Sequence, residues 1–213
     1  MKPKTILSLA ITLIFAGSIF AADELKSITL PKVNIKKTSL VDALTKRVST
    51  REFADKEISL QDLSNVLWAA AGINRPENGY RTYPSAMGKQ SISVYAITKE
   101  GVYIYDHTKH TLEPVAAGDF RAKAGAQGFV ATSPLNLIYV SDTSKFDGSA
   151  ADKRALANFD AGHCSENVYL YCAAAGIGTV IRASIDTAAL AKVLKLGKND
   201  LIVGGQTVGY FAK

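Results

Sequence analysis

The sequence predicts an α+β fold with a central, mostly antiparallel sheet flanked by helices. Helical and strand patterns alternate along the chain without a clean order, no internal repeat is present, and 213 residues are enough for one domain with a substantial core. A composition of 47% hydrophobic and 21% charged residues is typical of a globular protein and excludes a disordered or fibrous chain.

The first 21 residues have the pattern of a secretory signal peptide. Lys2 and Lys4 precede an apolar run over residues 5–20, and the small residues Ala21 and Ala22 follow it. An uncleaved anchor is the alternative, but the run is shorter than the roughly 18 to 20 residues that a membrane span needs. We therefore expect cleavage after Ala21 and export to the periplasm or the medium, with no membrane span in the mature chain.

The mature chain is expected to begin with a short arm and continue as one domain. Residues 22–39 are polar and irregular, which indicates an N-terminal arm or linker, and the domain covers residues 40–213. The net charge is +6, of which Lys2 and Lys4 supply two. The other lysines are scattered rather than clustered with aromatic residues, so the sequence predicts no nucleic-acid partner.

Two short helices are predicted at the start of the domain. Ser39 and Ser59 have the spacing of helix N-caps, and the apolar residues after them recur with helical period over 40–47 and 60–71, where Gly72 marks the end. The other predicted elements are a loop over 74–83, a hairpin of 91–98 and 102–105, a short strand at 112–115, a helix over 118–131, a buried strand over 135–140, helices over 152–175 and 187–194, and a last strand over 201–211.

Two cysteines, Cys164 and Cys172, fall in one predicted helix. Eight residues of helix separate them by about 12 Å of rise, whereas a disulfide needs Cα atoms within about 7 Å. They are therefore expected to be buried, unpaired thiols, and the absence of a C-x-x-C pattern argues against a metal site.

The three histidines give no catalytic pattern. His107 and His110 flank a predicted turn, which favours surface positions over metal ligation. His163 adjoins Cys164, but neighbours on a helix point about 100° apart, so a Cys/His nucleophilic pair is not expected. The chain also lacks the G-x-S-x-G elbow, the phosphate loop of nucleotide hydrolases and the third glycine of a dinucleotide-binding motif.

The segment from Arg47 to Arg51 is the first candidate for ligand binding. Two guanidinium groups, the hydroxyls of Ser49 and Thr50, and exposed backbone N–H groups suit a phosphate monoester. The alternative is a solvated basic helix end, because cations are common where a helix macrodipole ends.

Motifs in a fixed order give the chain a family resemblance. They are Arg47-x-Ser49-x-Arg51-x-Phe53, Arg81-Thr82-Tyr83-Pro84-Ser85-Ala86, Gln127 before Thr132-Ser133-Pro134-Leu135, Ala173-Ala174-Ala175-Gly176-Ile177-Gly178-Thr179, and Thr207-Val208-Gly209-Tyr210. Over residues 40–210 the chain resembles the FMN-dependent nitroreductase family. Its hairpin over 101–106 is more similar to the branch that contains the dehydrogenases oxidising azoline rings in modified peptides.

The resemblance implies a nitroreductase-like fold, an intertwined homodimer and an FMN site at its interface. Arg47, Ser49 and Arg51 would grip the FMN phosphate and ribityl chain. Gln127 would be a polar contact to the ring, and the backbone N–H groups near Ala183 and Ser184 would approach flavin N5.

A second segment would reach the same flavin from the partner subunit. Pro84, Ser85 and Ala86 would contact the edge of the isoalloxazine ring. Gly88 lies in this segment where related sequences often carry Asn, so one side-chain contact would be missing.

The implied activity is that of an exported FMN-dependent oxidoreductase. It would transfer hydride or electrons through flavin N5 between a donor, with NAD(P)H as one candidate, and a small organic acceptor. No catalytic acid or base and no metal are predicted. The alternatives are a flavin-binding or carrier protein without turnover, and a structural protein that kept the fold but lost the cofactor.

Overall fold

A seven-stranded antiparallel sheet forms the centre of the computed structural model, which describes residues 24–212. Its strands, in chain order with two further short strands, are β1 Ile28–Thr29, β2 Ile73–Arg75, β3 Tyr80–Arg81, β4 Ile92–Ile97, β5 Gly101–Asp106, β6 Thr111–Ala117, β7 Leu135–Asp142, β8 Gly178–Arg182 and β9 Asp200–Gly209. The order across the main sheet is β1-β6-β5-β4-β7-β9-β8, while β2 and β3 pair separately. The predicted signal peptide, residues 1–21, lies outside the described residues.

Four α-helices flank the sheet, which confirms the predicted α+β class. They are α1 Leu40–Lys46, α2 Leu60–Ala71, α3 Ala150–Ala175 and α4 Thr187–Val193. The side chains of Ser39 and Ser59 accept the backbone N–H groups of Asp42 and Asp62, so both predicted N-caps are confirmed.

The central strand β7 is buried on both faces, as its continuous apolar sequence predicts. Because side chains alternate across a strand, Leu137 and Tyr139 join the core beneath α2 and α3. Ile138 and Val140 join a second core on the opposite face, which includes Leu190 of α4. The sheet is therefore covered on both sides.

The predicted helix over 118–131 is wrong. The segment instead contains two short 3-10 turns, Arg121–Lys123 and Gly128–Ala131. Gly118 has φ +112°, outside the helical region, and Arg121 is bound to the Asp119 carboxylate at 2.7 Å. A Cβ at Gly125 would lie 2.2 Å from Nη1 of Arg182. The backbone therefore turns where an arginine from another element passes close to it.

His107 and His110 were predicted at the surface, and the structure places both at the turn after β5, where each is only partly exposed. Nε2 of His107 lies 3.1 Å from Nη2 of the buried Arg81, and burial, followed by the Arg81 charge, lowers the His107 pKa to about 4. His110 contacts the hydroxyl of Ser64 at 2.8 Å and that of Tyr105 at 2.8 Å. The turn after β5 folds back onto neighbouring elements, which its local sequence does not show.

Other predicted elements differ mainly at their ends. The loop over 74–83 contains the β2–β3 pair, and its last residues are not on the surface, because Tyr83 is buried. The strand predicted at 112–115 extends over the whole of β6. Cys164 and Cys172 are buried free thiols, as predicted.

The N-terminal arm is packed against the domain where it is described. β1 pairs with β6, and the side chain of Asn65 in α2 binds both the N–H and the carbonyl of Asn34, each at 2.9 Å. Within residues 24–212, no helix is long and apolar enough to cross a membrane.

Candidate active site

The basic segment after α1 runs beside the free edge of β8. Helix α1 ends at Lys46, and Ser49 then forms an isolated parallel bridge to Thr179. The backbone N–H of Thr50 donates to the Thr179 carbonyl at 2.9 Å. In extended backbone, alternate residues share a face, so this geometry would place Arg47, Ser49 and Arg51 on the same side. All three are exposed.

Tyr169 of α3 organises this segment, although the sequence reasoning did not identify it. Its hydroxyl lies 2.9 Å from Oγ of Ser49 and accepts the backbone N–H of Ile181 at 2.9 Å. The Arg47 guanidinium lies 5.4 Å from the centre of the Tyr169 ring, a cation–π distance. One buried side chain thus joins the basic segment to β8.

The segment that follows β8 meets the turn that precedes Gln127. The backbone N–H of Ala126 donates to the Ser184 carbonyl at 3.0 Å, so Gln127 and Ser184 are brought close together. Ala183, Ser184 and Gln127 are exposed. Among the described residues, the N–H groups of Ala183 and Ser184 have no hydrogen-bond partner, which leaves two adjacent donors for a ligand.

Arg182 holds this turn in place from inside the protein. Its guanidinium donates to the Ala124 carbonyl at 2.6 Å, to Oδ1 of Asn136 at 2.9 Å and to Oγ1 of Thr207 at 3.0 Å. Burial lowers the Arg182 pKa to about 10. Its hydrogen bonds connect the turn before Gln127 to three strands of the sheet.

A cavity of about 460 Å³ opens between α3 and the ends of β8 and β9. The strand side contributes Ile181 and Ala183, and the helix side includes Asn158, Gly162 and Ser165. The volume lies within the range of about 300 to 1,000 Å³ for small-molecule sites. Four strand steps from Thr179 to Ala183 span about 13 Å. A ligand that reaches from the basic segment to Ala183 must therefore be elongated.

The Pro84-Ser85-Ala86 segment lies on the other side of α3. Asp160 accepts the Ala86 N–H, and Nδ1 of His163 lies 3.1 Å from the Pro84 carbonyl oxygen. Asp160 and the cavity residue Asn158 are two positions apart on α3, which points their side chains about 160° away from each other. In one copy of the chain, Pro84, Ser85 and Ala86 therefore do not meet the cavity or the basic segment.

Gly88 adopts a left-handed conformation in this second segment, with φ +66°. A Cβ at Gly88 would have nothing within 4 Å. Asn tolerates this conformation better than most residues with a side chain, so the backbone would accept Asn at this position.

The His163 and Cys164 side chains do not form a nucleophilic pair. His163 is exposed and contacts Pro84, while Cys164 is fully buried. Burial raises the Cys164 pKa well above its ordinary value, which keeps the thiol protonated. The described residues contain no group of three or more His, Cys, Asp or Glu that could hold a metal.

The sequence reasoning missed Tyr169, Arg182 and Asp160. Asp160 carried a detectable signal, because it stands on the same helical stripe as Ala157 and Cys164 and so places a charge in an apolar face. Arg182 gave a similar signal within an apolar strand. For Tyr169 we find no comparable signal in the sequence.

Comparison with known families decides the identity of the fold. Residues 44–210 match the Nitroreductase family. The chain belongs to this family. It is an oxidoreductase family, and the match covers the basic segment, the Pro84-Ser85-Ala86 segment and the cavity.

Individual relatives agree with the assignment. A nitroreductase-family protein of Methanocaldococcus jannaschii is 29% identical over 181 residues, which cover 80% of this chain and 91% of the relative. The crystal structure of a nitroreductase-family protein from Ralstonia eutropha is 37% identical, with a TM-score of 0.83 over 89% of this chain and 91% of that one. These relatives match the chain over nearly their whole lengths.

More distant structures share the fold. A nitroreductase-family protein from Desulfovibrio desulfuricans, solved in complex with FMN, has a TM-score of 0.60 at 17% identity over 84% of this chain and 89% of that one. A chain of the Escherichia coli microcin synthetase McbBCD complex has a TM-score of 0.67 at 17% identity over 96% and 85%. At this identity the likeness concerns the fold alone, so the resemblance to the azoline-oxidising branch stays a prediction.

Proposed function

We propose that the protein is an exported FMN-dependent oxidoreductase whose flavin sites form between two copies of the chain. The observation that carries the proposal is the edge of β8. The strand runs from Thr179, where it contacts Ser49 and Thr50 of the basic segment, to the unpaired N–H groups at Ala183 and Ser184, beside a cavity of about 460 Å³. The FMN complex of a family member with the same fold supports this choice of cofactor.

The donor set fits FMN at both ends. Neither Arg47 nor Arg51 forms an ion pair with a described carboxylate, so both guanidinium groups are available to a phosphate. At the other end of β8, the N–H groups of Ala183 and Ser184 would donate to the ring, and Gln127 would line its polar edge.

When bound, FMN supplies the hydride and electron chemistry. The residues of the chain bind the two ends of the cofactor and orient it. The unpaired N–H groups of Ala183 and Ser184 would stabilise negative charge at the ring edge, because amide dipoles act strongly where a bound ligand excludes water. No side chain near the cavity is required as an acid or base.

A second copy of the chain would explain why the basic segment after α1 and the Pro84-Ser85-Ala86 segment lie far apart within one copy. The Pro84-Ser85-Ala86 segment cannot reach the cavity of its own chain, since α3 lies between them. Helix α1 also exposes Leu40, Val41 and Leu44, at 65%, 71% and 54% of their surfaces, which suits burial against a partner. The proposal therefore predicts a homodimer, measurable by analytical ultracentrifugation at micromolar concentration.

The binding test compares arginine variants with a matched control. Arg47→Ala and Arg51→Ala each remove a charge-assisted contact worth about 1.5 to 3 kcal/mol, so each is expected to raise the FMN dissociation constant about 10- to 150-fold. Lys99→Ala removes an exposed cation from the β4–β5 turn and should leave the constant unchanged. If both arginine variants bound FMN as tightly as the Lys99→Ala control, the assignment of the phosphate site would be refuted.

Turnover separates the oxidoreductase from a flavin carrier. Gly88 favours the carrier alternative, because its lack of a side chain removes one contact that relatives often have. If the protein is an oxidoreductase, dithionite or NAD(P)H should reduce the bound flavin. An organic acceptor should then reoxidise it rapidly, as measured by stopped-flow absorbance. A flavin that binds but is not reoxidised by any acceptor would favour the carrier, and no flavin band after reconstitution would reject both.

Export and the electron donor are separate parts of the proposal. Export depends on the apolar segment of residues 5–20. Cell fractionation with N-terminal sequencing tests it, since the mature protein should begin at Ala22. A cytoplasmic protein that retains Met1 would refute export without affecting the flavin assignment.

A further inference from the structure

The carboxylate of Asp160 is fully buried in the middle of α3. The ion pairs among residues 24–212 are Lys109–Asp106 and Arg121–Asp119, so Asp160 has no cation within 4 Å. Removing a carboxylate from water costs several kcal/mol unless hydrogen bonds replace its hydration. A helix position that served packing alone would be apolar, as its neighbours Ala157 and Ala161 are. The desolvation cost of the Asp160 carboxylate therefore indicates that this residue has a role beyond packing.

All three hydrogen bonds of the Asp160 carboxylate go to one short segment. Oδ1 accepts the backbone N–H of Ala86 at 2.8 Å. Oδ2 accepts the hydroxyl of Ser85 at 3.1 Å and that of Ser91 at 3.3 Å. One carboxylate thus binds both ends of the segment 85–91.

The segment has a conformation that a free chain would rarely adopt. Met87, Gly88 and Gln90 have φ values of +51°, +66° and +48°. Left-handed conformations at residues other than glycine cost on the order of 1 to 3 kcal/mol each and persist only where surrounding contacts enforce them. The Ser85 hydroxyl adds one such contact by accepting the Gln90 N–H at 2.6 Å.

The segment 85–91 is a tight projection from the surface that is anchored at its base. Met87, at the tip of the projection, is 66% exposed, while Ser91, at the base, is buried. The Ser141 hydroxyl on β7 lies 2.9 Å from that of Ser91, which connects the base to the sheet. The projection is therefore attached at its base to both α3 and the central strand, while its tip points outward.

We propose that Asp160 is a positioning residue that preorders the segment 85–91 for contact with the flavin bound by the partner copy. This inference rests on the proposed function, in which the same segment reaches the partner's flavin. Two anchored ends remove the ordering cost that a loose segment would incur on binding. Asp160 touches neither cofactor nor substrate in this assignment and acts through Ser85 and Ala86.

The first test needs no flavin. In Asp160→Asn the side chain keeps its size but loses its charge and one acceptor oxygen. Amide hydrogen exchange at Ala86 and Gln90 should accelerate at least about tenfold, which corresponds to about 1.4 kcal/mol of lost local stability. Exchange at these two amides that equals that of the wild type would overturn the proposal.

The matched control is Asp62→Asn. Asp62 of α2 accepts three hydroxyl groups, from Ser59 at 2.7 Å, Tyr171 at 3.1 Å and Tyr210 at 2.7 Å, but it is remote from the segment 85–91. It should lower the melting temperature without changing exchange at Ala86. This variant separates a local effect on the segment from a general loss of stability.

The second test measures FMN affinity for the same variants. Asp160→Asn should raise the FMN dissociation constant about tenfold and Asp62→Asn less than about twofold, relative to the wild type. A loosened segment with unchanged FMN affinity would overturn the positioning role. A wild type that binds no FMN, together with accelerated exchange in Asp160→Asn, would reject the proposed function and retain the anchoring by Asp160.

Discussion

The hydroxyl of Tyr169 lies 2.9 Å from the hydroxyl of Ser49, a residue 120 positions earlier in the chain. The same tyrosine hydroxyl accepts the Ile181 N–H, and its ring lies under the Arg47 guanidinium. The segment with the candidate phosphate ligands is therefore aligned on β8 by a residue of α3.

Tyr169→Phe should weaken FMN binding about five- to tenfold. The variant retains the aromatic ring beneath Arg47 but loses the hydroxyl that orients Ser49. A hydrogen bond of this kind contributes about 1 kcal/mol. Equilibrium titration by flavin fluorescence measures the change. Tyr171→Phe is the control, since its hydroxyl binds Asn65 and Asp62 on α2 instead. It should reduce stability but leave the affinity for FMN intact, and a loss of affinity in both variants would contradict the specific role of Tyr169.

Gly88→Asn should be neutral for folding and should strengthen FMN binding. The left-handed backbone accepts Asn, a Cβ has open space, and the new amide would restore a polar contact to the partner's flavin. Gly88→Val should cost about 1 to 3 kcal/mol of unfolding free energy, because a β-branched residue is strained at this φ. Urea denaturation measures the stability of both variants, and flavin titration measures their affinity for FMN. A destabilised Gly88→Asn variant would show that the left-handed backbone at this position does not accept Asn.

Gly125→Ala should destabilise the protein by about 1 to 3 kcal/mol through overpacking. Its Cβ would lie 2.2 Å from Nη1 of Arg182, which holds the Ala124 carbonyl and cannot move away without losing that bond. Gly128→Ala is the matched control, since a Cβ there meets nothing within 4 Å. Thermal unfolding should separate the two, and equal melting temperatures would show that the Arg182 contact does not constrain the turn.

His107 should make stability depend on pH below neutrality. Burial, followed by the Arg81 charge, lowers its folded pKa to about 4 from an unfolded value of about 6.5. The unfolded chain therefore binds more protons between these values, and the contribution of His107 is fully present above pH 6.5 and declines as pH falls toward 4. His110 has a lowered pKa as well and acts in the same direction.

The variant that checks this is His107→Gln, whose side chain can still accept a hydrogen bond from Arg81. Urea midpoints measured at pH 7 and pH 4.5 should differ less for this variant than for the wild type. His163→Gln alters an exposed histidine and should keep the wild-type difference. If the urea midpoints of His107→Gln at pH 7 and pH 4.5 differed as much as those of the wild type, His107 would not be the source of the pH dependence.

Much of the fold followed from local patterns. The caps at Ser39 and Ser59, the helical period of α2 and the apolar run of β7 are properties of adjacent residues, so they could be predicted element by element. The segment 118–131 could not, because a distant residue, Arg182, binds the Ala124 carbonyl and lies against Gly125. The partial burial of His107 and His110 could not be predicted for the same reason, since their contacts with Arg81 and Ser64 come from other elements.

The sequence by itself determined the class of the fold, the family motifs and the residue types suited to a phosphate-bearing ligand. The tertiary structure decided which of these residues meet. It brought the basic segment and Ala183 to one edge of β8 and left Ala86 on the opposite side of α3. The physical reason is that motif spacing records the order of residues along the chain. The side of α3 on which a segment lies depends on packing and on buried polar groups such as Asp160.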